Sequence, residues 1–504
     1  MTQDAEFARL QARLRDLWPA ITLRSIGDVE RNAVVVHSIS FHVPEHLYPV
    51  FPAYEERFLC LVLSLLRGSR SRVIYVTSQP VLPRLIDYFF SLVPALDTPE
   101  ARRRLELVTV VDGRNRPLTE KLLARPGALA RIRSLITRPE LAVLIPFNTS
   151  QLEVDLAVEL GIPVYGAHPS LAWAGTKQGS RRLFAEEGVP HPVGLDVRSA
   201  DELVAAIEEI RTKRPDLRQV IVKLDEGVSG LGNAIIHVDG AETPRELERR
   251  IAALELEDHE ITAEEYLASL DREGGIVEER IQGTSFRSPS VQMRLSPHGE
   301  AEVLSTHDQV LGGPHGQTYF GCRFPADEAY ADTIAREALK VGRRLAREGA
   351  LGRVALDFVA VQDAAGEWQP YAVEINLRCG GTTHPFFALQ SLTDGVYELD
   401  EGRFLVPGGA QKFYVATDHL DNPAYSSLTP DDLLDLVKEH GLGWDEEGQT
   451  GVALHMVSAL AVAGRIGLTA IGDSHDESSR LYARVKRMLD HACGVEPASE
   501  SARA

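Results

Sequence analysis

The sequence predicts a multidomain protein that combines the α/β and α+β classes. The chain has 504 residues, which is more than one compact domain usually holds. Through its first third, short apolar runs rich in β-branched residues alternate with helical patterns, and this alternation is typical of a parallel sheet covered by helices on both faces. The composition, 44% hydrophobic and 25% charged, is that of a globular chain.

The first unit is predicted to span residues 30–166, after an N-terminal helical segment at residues 1–29. Its strand candidates are short apolar runs, at residues 32–38, 72–77, 105–111, 141–146 and 161–166. Helical patterns separate these runs, so the unit resembles a Rossmann-like domain. No GxGxxG follows its first strand, and we therefore assign it no dinucleotide.

The second unit, residues 167–394, opens with a helix that carries a lysine in its first turn. Thr176 is a capping residue, Lys177 follows it, and the helical pattern ends near Gly188. Free backbone N–H groups at a helix N-terminus favour an anion, so Lys177 is a candidate phosphate ligand. The ordinary alternative is a solvated helix lysine.

A second lysine stands directly before a glycine-rich loop. Lys223 lies at the end of the predicted strand QVIVKL, and the loop DEGVSGLGN follows at once. The residues that make this loop flexible are Gly227, Ser229, Gly230 and Gly232. Backbone amides of such a loop can close over phosphates, although the Walker A pattern is absent and an ordinary hairpin is the alternative.

Two acids and an asparagine lie on a predicted pair of strands at residues 352–385. Asp357 stands in an apolar run of the first strand, and Glu374 and Asn376 share one face of the second because side chains alternate along a strand. A buried carboxylate needs compensation, and carboxylate and amide oxygens are ligands that Mg²⁺ prefers. A hairpin whose acids form salt bridges or face water is the alternative reading.

Two further stretches carry polar residues into this unit. The predicted strand at residues 275–281 ends in charged residues that include Glu278 and Glu279. The polar, glycine-rich stretch at residues 305–324 lacks clear periodicity, and a stretch of that length inside a compact domain is usually a functional loop. It contains His307 and Asp308.

The whole-chain properties exclude several classes of protein. The formal charge is -20, which repels nucleic acid and anionic membranes over most of the surface. The four cysteines are widely separated and form no zinc-type cluster, which indicates free thiols in a reducing cytosol. No signal peptide or membrane-spanning segment is predicted, so we expect a cytoplasmic protein that binds neither nucleic acid nor membranes.

The order of these motifs resembles the ATP-grasp superfamily of carboxylate-amine ligases. A helix lysine, a strand lysine, a glycine loop, a Glu-Glu strand end, a strand Asp and a strand Glu-x-Asn follow one another over residues 30–390. The resemblance implies a pre-ATP-grasp domain at residues 30–166, an ATP-grasp domain at 167–394, and ATP held between two sheets. It also implies Mg²⁺ as the metal, with Mn²⁺ as the alternative, and it is compatible with a homodimer.

The resemblance assigns roles to individual residues of this chain. Lys177 and Lys223 match the nucleotide lysines, residues 227–232 the phosphate-covering loop, and residues 278–281 the hinge that meets adenine. The implied ATP ligands are Lys177, Lys223, Gly227, Ser229, Gly230, Gly232, Glu278, Glu279 and Ile281. The implied metal ligands are Asp357, Glu374 and Asn376. The run EINLR…HP is similar to that of biotin carboxylase, which implies that Arg378 lies near the reacting carboxylate or acyl phosphate.

Two positions depart from the superfamily pattern. Ser285 stands where many members have a ribose-binding Glu, and Thr176 replaces the Asp that often precedes the first lysine. More narrowly, residues 306–325 and 374–395 are similar to the peptide ligases related to the pheganomycin ligase. That group also has a C-terminal domain, and here residues 395–493 are expected to form a small α+β unit, followed by a disordered tail at 494–504.

The resemblance implies an ATP-dependent ligase for a small-molecule acid and an amine, the amine belonging to a peptide or an amino acid. The acid is activated as an acyl phosphate, Arg378 stabilises the oxyanion, and His307, Asp308 or His384 takes the amine proton. The sequence does not choose among these three. The alternatives are an ATP-grasp carboxylase, a ligase for free amino acids, and a nucleotide-binding regulatory protein without catalysis.

Overall fold

The computed structural model describes residues 2–22, 30–41, 43, 45–227 and 230–496 of the chain. The predicted N-terminal segment contains two helices, α1 (Gln3–Ala12) and α2 (Leu14–Thr22). Residues 23–29 of that segment, and 497–504 of the predicted tail, lie outside the described residues. None of the described helices is long and apolar enough to cross a membrane.

The first unit is a four-stranded parallel sheet with helices around it. The strands are β1 (Asn32–Val36), β2 (Arg72–Thr77), β3 (Leu105–Thr109) and β4 (Ala142–Pro146), in the order β3-β2-β1-β4. The helices are α3 (Phe51–Glu56), α4 (Leu59–Leu66), α5 (Pro83–Ser91), α6 (Pro99–Arg103), α7 (Leu118–Leu123), α8 (Pro126–Leu135) and α9 (Gln151–Leu160). Every residue of β1 is buried, as expected for a parallel strand covered on both faces. The predicted strand at 161–166 is not a strand: Val164 makes a single bridge to Leu144.

A five-stranded antiparallel sheet forms the front of the second unit. Its strands are β5 (Gly194–Val197), β6 (Gln219–Leu224), β7 (Asn233–His237), β8 (Glu255–Leu256) and β9 (Gly275–Glu279), in the order β5-β9-β6-β7-β8. The helices of this part are α10 (Lys177–Glu186), α11 (Ala200–Lys213), α12 (Pro244–Ile251) and α13 (Ala263–Glu273). The Thr176 side chain accepts a hydrogen bond from the Gly179 backbone N–H at 3.0 Å, so α10 begins at the predicted cap.

A nine-stranded sheet forms the back of the second unit and continues into the C-terminal region. Its elements up to α15 are β10 (Phe286–Arg287), β11 (Pro289–Leu295), β12 (Ala301–Gly312), β13 (Thr318–Phe324), α14 (Glu328–Arg347), β14 (Gly352–Gln362), β15 (Trp368–Asn376) and α15 (Thr383–Thr393). The predicted loop at 305–324 is therefore largely a β-hairpin, β12–β13, and only its turn is irregular. Each strand of this hairpin has a hydrogen-bonded neighbour on both sides: β12 lies between β11 and β13, and β13 lies between β12 and β18.

The C-terminal region combines strands and helices, as expected for a small α+β unit. Its elements are β16 (Val396–Glu398), β17 (Arg403–Leu405), β18 (Phe413–Asp421), α16 (Pro430–Glu439), β19 (Gly451–His455), α17 (Ala459–Ala463), β20 (Arg465–Gly472) and α18 (His475–Ala492). Strand β18 pairs with β13, and β20 and β19 follow it, so this α+β region extends the back sheet. The multidomain α/β and α+β class is as predicted, with a sheet shared between the last two regions.

Candidate active site

A cleft of about 740 Å³ separates the front and back sheets of the second unit. It is lined by α10, β6, the glycine loop, the end of β9, the β12–β13 turn and the β14–β15 pair. The predicted site residues that line it are Lys177, Lys223, Gly227, Gly230, Glu278, Glu279, Ile281, Asp357, Glu374, Asn376 and Arg378. Residues separated by more than two hundred positions in the chain thus meet around one cavity.

Strand register places the two predicted acids side by side. Asp357 of β14 is directly opposite Glu374 of β15, and Ala355 is opposite Asn376. On its other side Asp357 faces Ser290 of β11. Asp357 accepts hydrogen bonds from the side-chain amides of Gln309 at 2.8 Å and Asn376 at 3.0 Å. Neither Ser290 nor Gln309 was a predicted site residue, because cross-strand register is not visible in a single sequence.

The two acids differ in their electrostatic surroundings. Burial and the neighbouring charge of Glu374 raise the pKa of Asp357 to about 6. Burial acts in the same direction on Glu374, but the ammonium of Lys177 outweighs it and holds the pKa of Glu374 below its usual value. Lys177 Nζ lies 2.5 Å from Glu374 Oε1. The pair therefore carries negative charge that nearby cations compensate only in part. Its carboxylate oxygens are the kind of donor that a divalent cation requires.

The lysines connect the acids to the glycine loop and the hinge. Lys177 Nζ also donates to the Gly227 carbonyl oxygen at 3.4 Å. Lys223 forms an ion pair with Glu278, which also lies 3.3 Å from Arg181 Nη1. Both lysines are almost fully buried, so their charges act at the wall of the cleft in a low-dielectric setting.

The glycine loop is packed against the β12–β13 turn. Gly230 has a φ of +85°, and a Cβ at this position would lie 2.2 Å from the Gln317 carbonyl oxygen. A Cβ on Gly232 would lie 2.7 Å from Gly227 Cα. The loop closes this tightly only because glycine has no side chain. Ser229, a predicted phosphate ligand, lies outside the described residues.

The β12–β13 turn is held by one buried acid that the sequence analysis did not single out. Glu257 accepts hydrogen bonds from the backbone N–H groups of His315, Gln317 and Thr318, at 3.0 to 3.2 Å, and from the Thr318 hydroxyl at 2.7 Å. This anchoring presents His315 and Gln317 to the cleft. The stretch thus reaches the cleft, as a hairpin and not as the loop that its lack of periodicity predicted.

The hinge glutamates have their carboxylates engaged within the protein. Glu279 accepts from the Val193 backbone N–H at 2.8 Å and from Arg214 Nε at 2.6 Å, and Glu278 is in the ion pairs described above. The lining continues from Glu279 to Gly283, whereas Ser285 is not among the lining residues. The hinge side chains therefore hold the strand in place, and the segment after them faces the cleft.

The structure does not bring the three predicted proton acceptors to the cleft. His307 is buried against Phe324, and its Nε2 forms a hydrogen bond of 2.7 Å with the Tyr414 hydroxyl. Asp308 accepts from the Tyr330 hydroxyl at 2.6 Å and from the Asp327 backbone N–H at 3.0 Å, so it supports the start of α14. None of the three lines the cleft. Sequence gave no means of separating these positions from cleft positions, because the face of a strand or helix that meets the cleft is decided by tertiary packing.

His384, the third of them, belongs to a buried polar cluster, which we call the Asp418 cluster. Its members are Arg57, His384, Asp418 and His455. Asp418 Oδ2 lies 2.5 Å from Arg57 Nη1, and its Oδ1 lies 3.2 Å from His384 Nε2 and 2.8 Å from His455 Nε2. The cluster joins the first unit, α15 and the C-terminal strands, and it is a structural junction.

Arg378 stands between the cleft and a second, smaller cavity. It lines both of them, and its Cζ lies 5.1 Å from the centroid of the Phe41 ring. Burial lowers the pKa of Arg378, and the negative charges of Glu374 and Asp357 oppose that shift. A cation at this wall can stabilise an oxyanion that forms beside the nucleotide phosphates.

Two family models match separate parts of the chain. The first, described as IQCH-like, ATP-grasp, matches residues 246–398 and includes the hinge and the paired acids. The second, described as PGM1 C-terminal domain, matches residues 432–485.

Curated relatives cover most of the chain. It is 31% identical over 442 residues to the L-propargylglycine–L-glutamate ligase of Streptantibioticus cattleyicolor, an alignment that covers 86% of this chain and 88% of the relative. It is 23% identical over 496 residues to IQ motif-containing protein H of Danio rerio, with 86% of this chain and 46% of that protein covered. The chain thus spans nearly the whole of the first relative and less than half of the second.

Solved structures share the fold. A biotin carboxylase from Campylobacter jejuni superposes with a TM-score of 0.54 at 13% identity, covering 92% of this chain and 95% of that one. An N5-carboxyaminoimidazole ribonucleotide synthetase in complex with ADP superposes with a TM-score of 0.53 at 13% identity, covering 92% and 97%. At this identity the likeness concerns the arrangement of domains alone.

Proposed function

This chain belongs to the ATP-grasp carboxylate-amine ligases, and from that premise we propose that it joins the carboxylate of a small acid to the amino group of an amino acid or peptide. The products of the ATP would be ADP and phosphate. The observation that carries the proposal is the cleft in which Asp357, Glu374, Lys177 and Lys223 meet, with Arg378 at its inner wall. The relative from Streptantibioticus cattleyicolor is named for joining two amino acids, and we extend that substrate class to this chain.

The nucleotide would lie between the two sheets. We propose that the segment after Glu279 meets the adenine, and that Lys177, Lys223 and the amides of the glycine loop contact the phosphates. The ammonium groups and N–H donors would offset charge that grows on the transferring phosphoryl group. Packing of the loop against the β12–β13 turn would exclude water from the reacting atoms.

The metal ligands in this proposal are Asp357, Glu374 and Asn376. Their hard oxygen donors fit Mg²⁺, and the raised pKa of Asp357 next to Glu374 indicates negative charge that a cation would compensate. Mn²⁺ has the same preference for oxygen donors. When bound, the metal would neutralise charge on the nucleotide phosphates and orient the γ-phosphate.

The chemistry needs an electrophilic carbonyl, because an amine does not displace oxide from a carboxylate. A carboxylate oxygen attacks the γ-phosphorus, and the bond from that phosphorus to ADP breaks, which leaves an acyl phosphate. The amine nitrogen then attacks the acyl carbon, and the phosphate leaves with its bonding electrons. Arg378 stabilises the oxyanion of the tetrahedral intermediate. We propose that the amine proton passes to the departing phosphate, since the three side chains predicted for that role lie elsewhere.

Product analysis tests the proposal. The chain is incubated with ATP, Mg²⁺, pooled amino acids and short peptides, and ADP, phosphate and condensed products are measured by mass. We expect ADP release that requires both an acid and an amine. Glu374→Gln is the control variant, and it should bind nucleotide without forming product.

Other products would overturn the proposal in distinct ways. AMP and pyrophosphate would exclude the acyl phosphate, and ADP release with bicarbonate in place of an amine would indicate a carboxylase. Nucleotide binding without turnover in any pool would indicate a regulatory protein.

A cytoplasmic location is part of the proposal, supported by four cysteines that are all free thiols.

A further inference from the structure

A second cavity, of about 90 Å³, lies beyond Arg378 and between the first unit and the back sheet. We call it the arginine chamber. Its charged or titratable lining residues, among those the structure describes, are Arg31, His37, Cys379, Tyr165, Arg294, Arg353 and Arg378. No Asp or Glu occurs among the described lining residues, although the whole chain carries a formal charge of -20. The chamber is therefore a locally positive compartment in an acidic protein.

The chamber is the right size for part of a small molecule. Liquid water occupies ~30 Å³ per molecule, so 90 Å³ corresponds to about three water molecules. A carboxylate with one or two methylene groups fits this volume, whereas a nucleoside does not. The remaining walls are largely apolar and include Phe58, Leu61 and Phe147, which suit a hydrocarbon stem.

Arg353 has donors that nothing in the described protein satisfies. Its Nε and Nη1 are buried and have no hydrogen-bond partner among the described residues. It makes no ion pair with them, and its Cζ lies 4.4 Å from the centroid of the Phe387 ring, within the range of a cation–π contact. Burial lowers the pKa of Arg353. Leaving such donors unsatisfied is costly, and native proteins rarely do so without a ligand or a special role.

Other polar atoms in the wall of the chamber are also buried without a partner. The Nε of Arg31 and both ring nitrogens of His37 are buried without a hydrogen-bond partner among the described residues. Arg294 is directly opposite Arg353 on the adjacent strand, and like charges in that position repel. Arg294 is compensated by Glu302 at 2.5 Å, but Arg353 has no such partner in the part of the chain that the structure describes. An anion in the chamber would give Arg353 the partner that it lacks.

The chamber and the cleft adjoin at Arg378, which lines both of them. The paired residues Ala355 and Asn376 stand at the cleft, and Arg353 and Arg378 lie two positions beyond them on their respective strands. One arginine thus borders the nucleotide phosphates and the chamber, and the other borders the chamber alone. A short molecule with an anionic group at each end would contact both.

We propose that the acid substrate is a small dicarboxylate, one carboxylate of which reacts beside Arg378 while the other is held by Arg353 in the arginine chamber. The inference rests on the proposed ligase function. The acid occupies this inner compartment because it must be activated before the amine arrives. Arg353 is a binding residue that fixes which carboxylate is presented to ATP, and the fork of its guanidinium matches a carboxylate in two parallel hydrogen bonds.

Matched pairs of probe acids test the proposal on the wild-type chain. Glutarate differs from butyrate, and glutamate from 2-aminobutyrate, by one carboxylate. Calorimetry in the presence of ADP and Mg²⁺ should show at least about tenfold tighter binding of the dicarboxylate in at least one pair, since a hydrogen-bonded charge pair contributes that much. Equal binding within both pairs, or no binding by any of the four acids, overturns the proposal.

Variants locate the preference. Arg353→Met keeps the apolar stem and should abolish the preference, with ADP binding unchanged. Arg353→Lys keeps the charge without the fork and should retain a smaller preference, which covers the case in which the methionine variant does not fold. Arg116→Met, at an exposed ion pair with Glu120 in the first unit, is the control and should retain the full preference. An unchanged preference in both Arg353 variants overturns the assignment.

Different results would overturn the ligase function and the dicarboxylate proposal. If the wild-type chain forms amide products equally well from monocarboxylates and dicarboxylates, the ligase function stands and the dicarboxylate proposal falls. If dicarboxylates bind through Arg353 but no pool gives amine-dependent ADP, the anion site stands and the ligase function falls.

Discussion

The cleft and the Asp418 cluster both collect ionisable side chains from distant parts of the chain, and they do so with opposite results. In the cleft, Asp357 and Glu374 face a cavity of about 740 Å³, and burial with like charge raises the pKa of Asp357 to about 6. In the cluster, burial alone would raise the pKa of Asp418, but His384 and Arg57 outweigh it and hold that pKa well below its usual range.

The difference separates the proposed active site from a buried junction between parts of the chain. The carboxylate of Asp418 has a partner at each oxygen, Arg57 at Oδ2 and the two histidines at Oδ1. The charges of Asp357 are balanced only in part, and the cavity beside it leaves room for a cation and phosphates. Incomplete compensation next to open volume is therefore the feature that favours the cleft as the proposed active site. Substitutions in the two regions should affect different properties.

The largest effect is expected from Asp357→Asn, which removes a proposed metal ligand from the cleft. Turnover should fall by about 10⁴-fold, a loss of ~5.5 kcal/mol of transition-state stabilisation, and the Mg²⁺ dependence should weaken. Steady-state ADP release at increasing Mg²⁺ concentration measures both. Asp363→Asn is the control, because Asp363 caps the exposed turn of the same hairpin and should not affect turnover. A near-normal rate in Asp357→Asn would show that the hairpin acids are not metal ligands.

The next effect is expected in the Asp418 cluster and concerns stability. Arg57→Met leaves Asp418 buried without its guanidinium partner, and breaking a buried pair in this way costs ~3–5 kcal/mol of unfolding free energy. Urea denaturation followed by circular dichroism measures the change. Arg116→Met removes an exposed pair and should cost about 1 kcal/mol or less. Equal losses in the two variants would contradict the distinction drawn between a junction and a surface pair.

A smaller effect is expected from Gly230→Ala in the glycine loop. The added Cβ would meet the Gln317 carbonyl oxygen and the residue would keep a positive φ, so the loop should move off the β12–β13 turn. We expect the KM for ATP to rise by about tenfold, equivalent to ~1.4 kcal/mol. Gly240→Ala is the matched control, with a φ of +67° and no atom within 4 Å of its Cβ. If both variants raise the KM alike, backbone strain and not loop contact is the cause.

A pH-dependent effect on stability is expected in the core behind the cleft. Burial lowers the pKa of His307 from 6.5 to about 3. The unfolded chain therefore binds a proton near pH 6.5 while the folded chain does not, and stability should fall as the pH drops from 6.5 towards 3. His307→Phe removes this term and should flatten the dependence of the urea midpoint on pH between 7 and 5. His259→Asn, at an exposed position, should leave the slope unchanged. A steeper slope in His307→Phe would contradict the assignment.

Much of the fold followed from local patterns. The strands of the first unit, helix α10 with its Thr176 cap and the β14–β15 pair lie where periodicity and capping residues predict them. These features depend on neighbours within a few positions, which is why a single sequence reveals them. The strand predicted at 161–166 failed because a strand also requires a partner along its length, and Val164 has only one bridge.

The sequence by itself determined which types of side chain line the cleft and their order along the chain, since residue type and spacing carry that information. It could not separate His307 and His384, which are buried in packed structure, from residues that face a cavity. Only the tertiary structure decided the register that places Asp357 between Ser290 and Glu374, and the packing that brings Arg31 and Arg353 to one chamber. The physical reason is that hydrogen-bond register and side-chain packing join residues hundreds of positions apart, so their outcome depends on the whole chain.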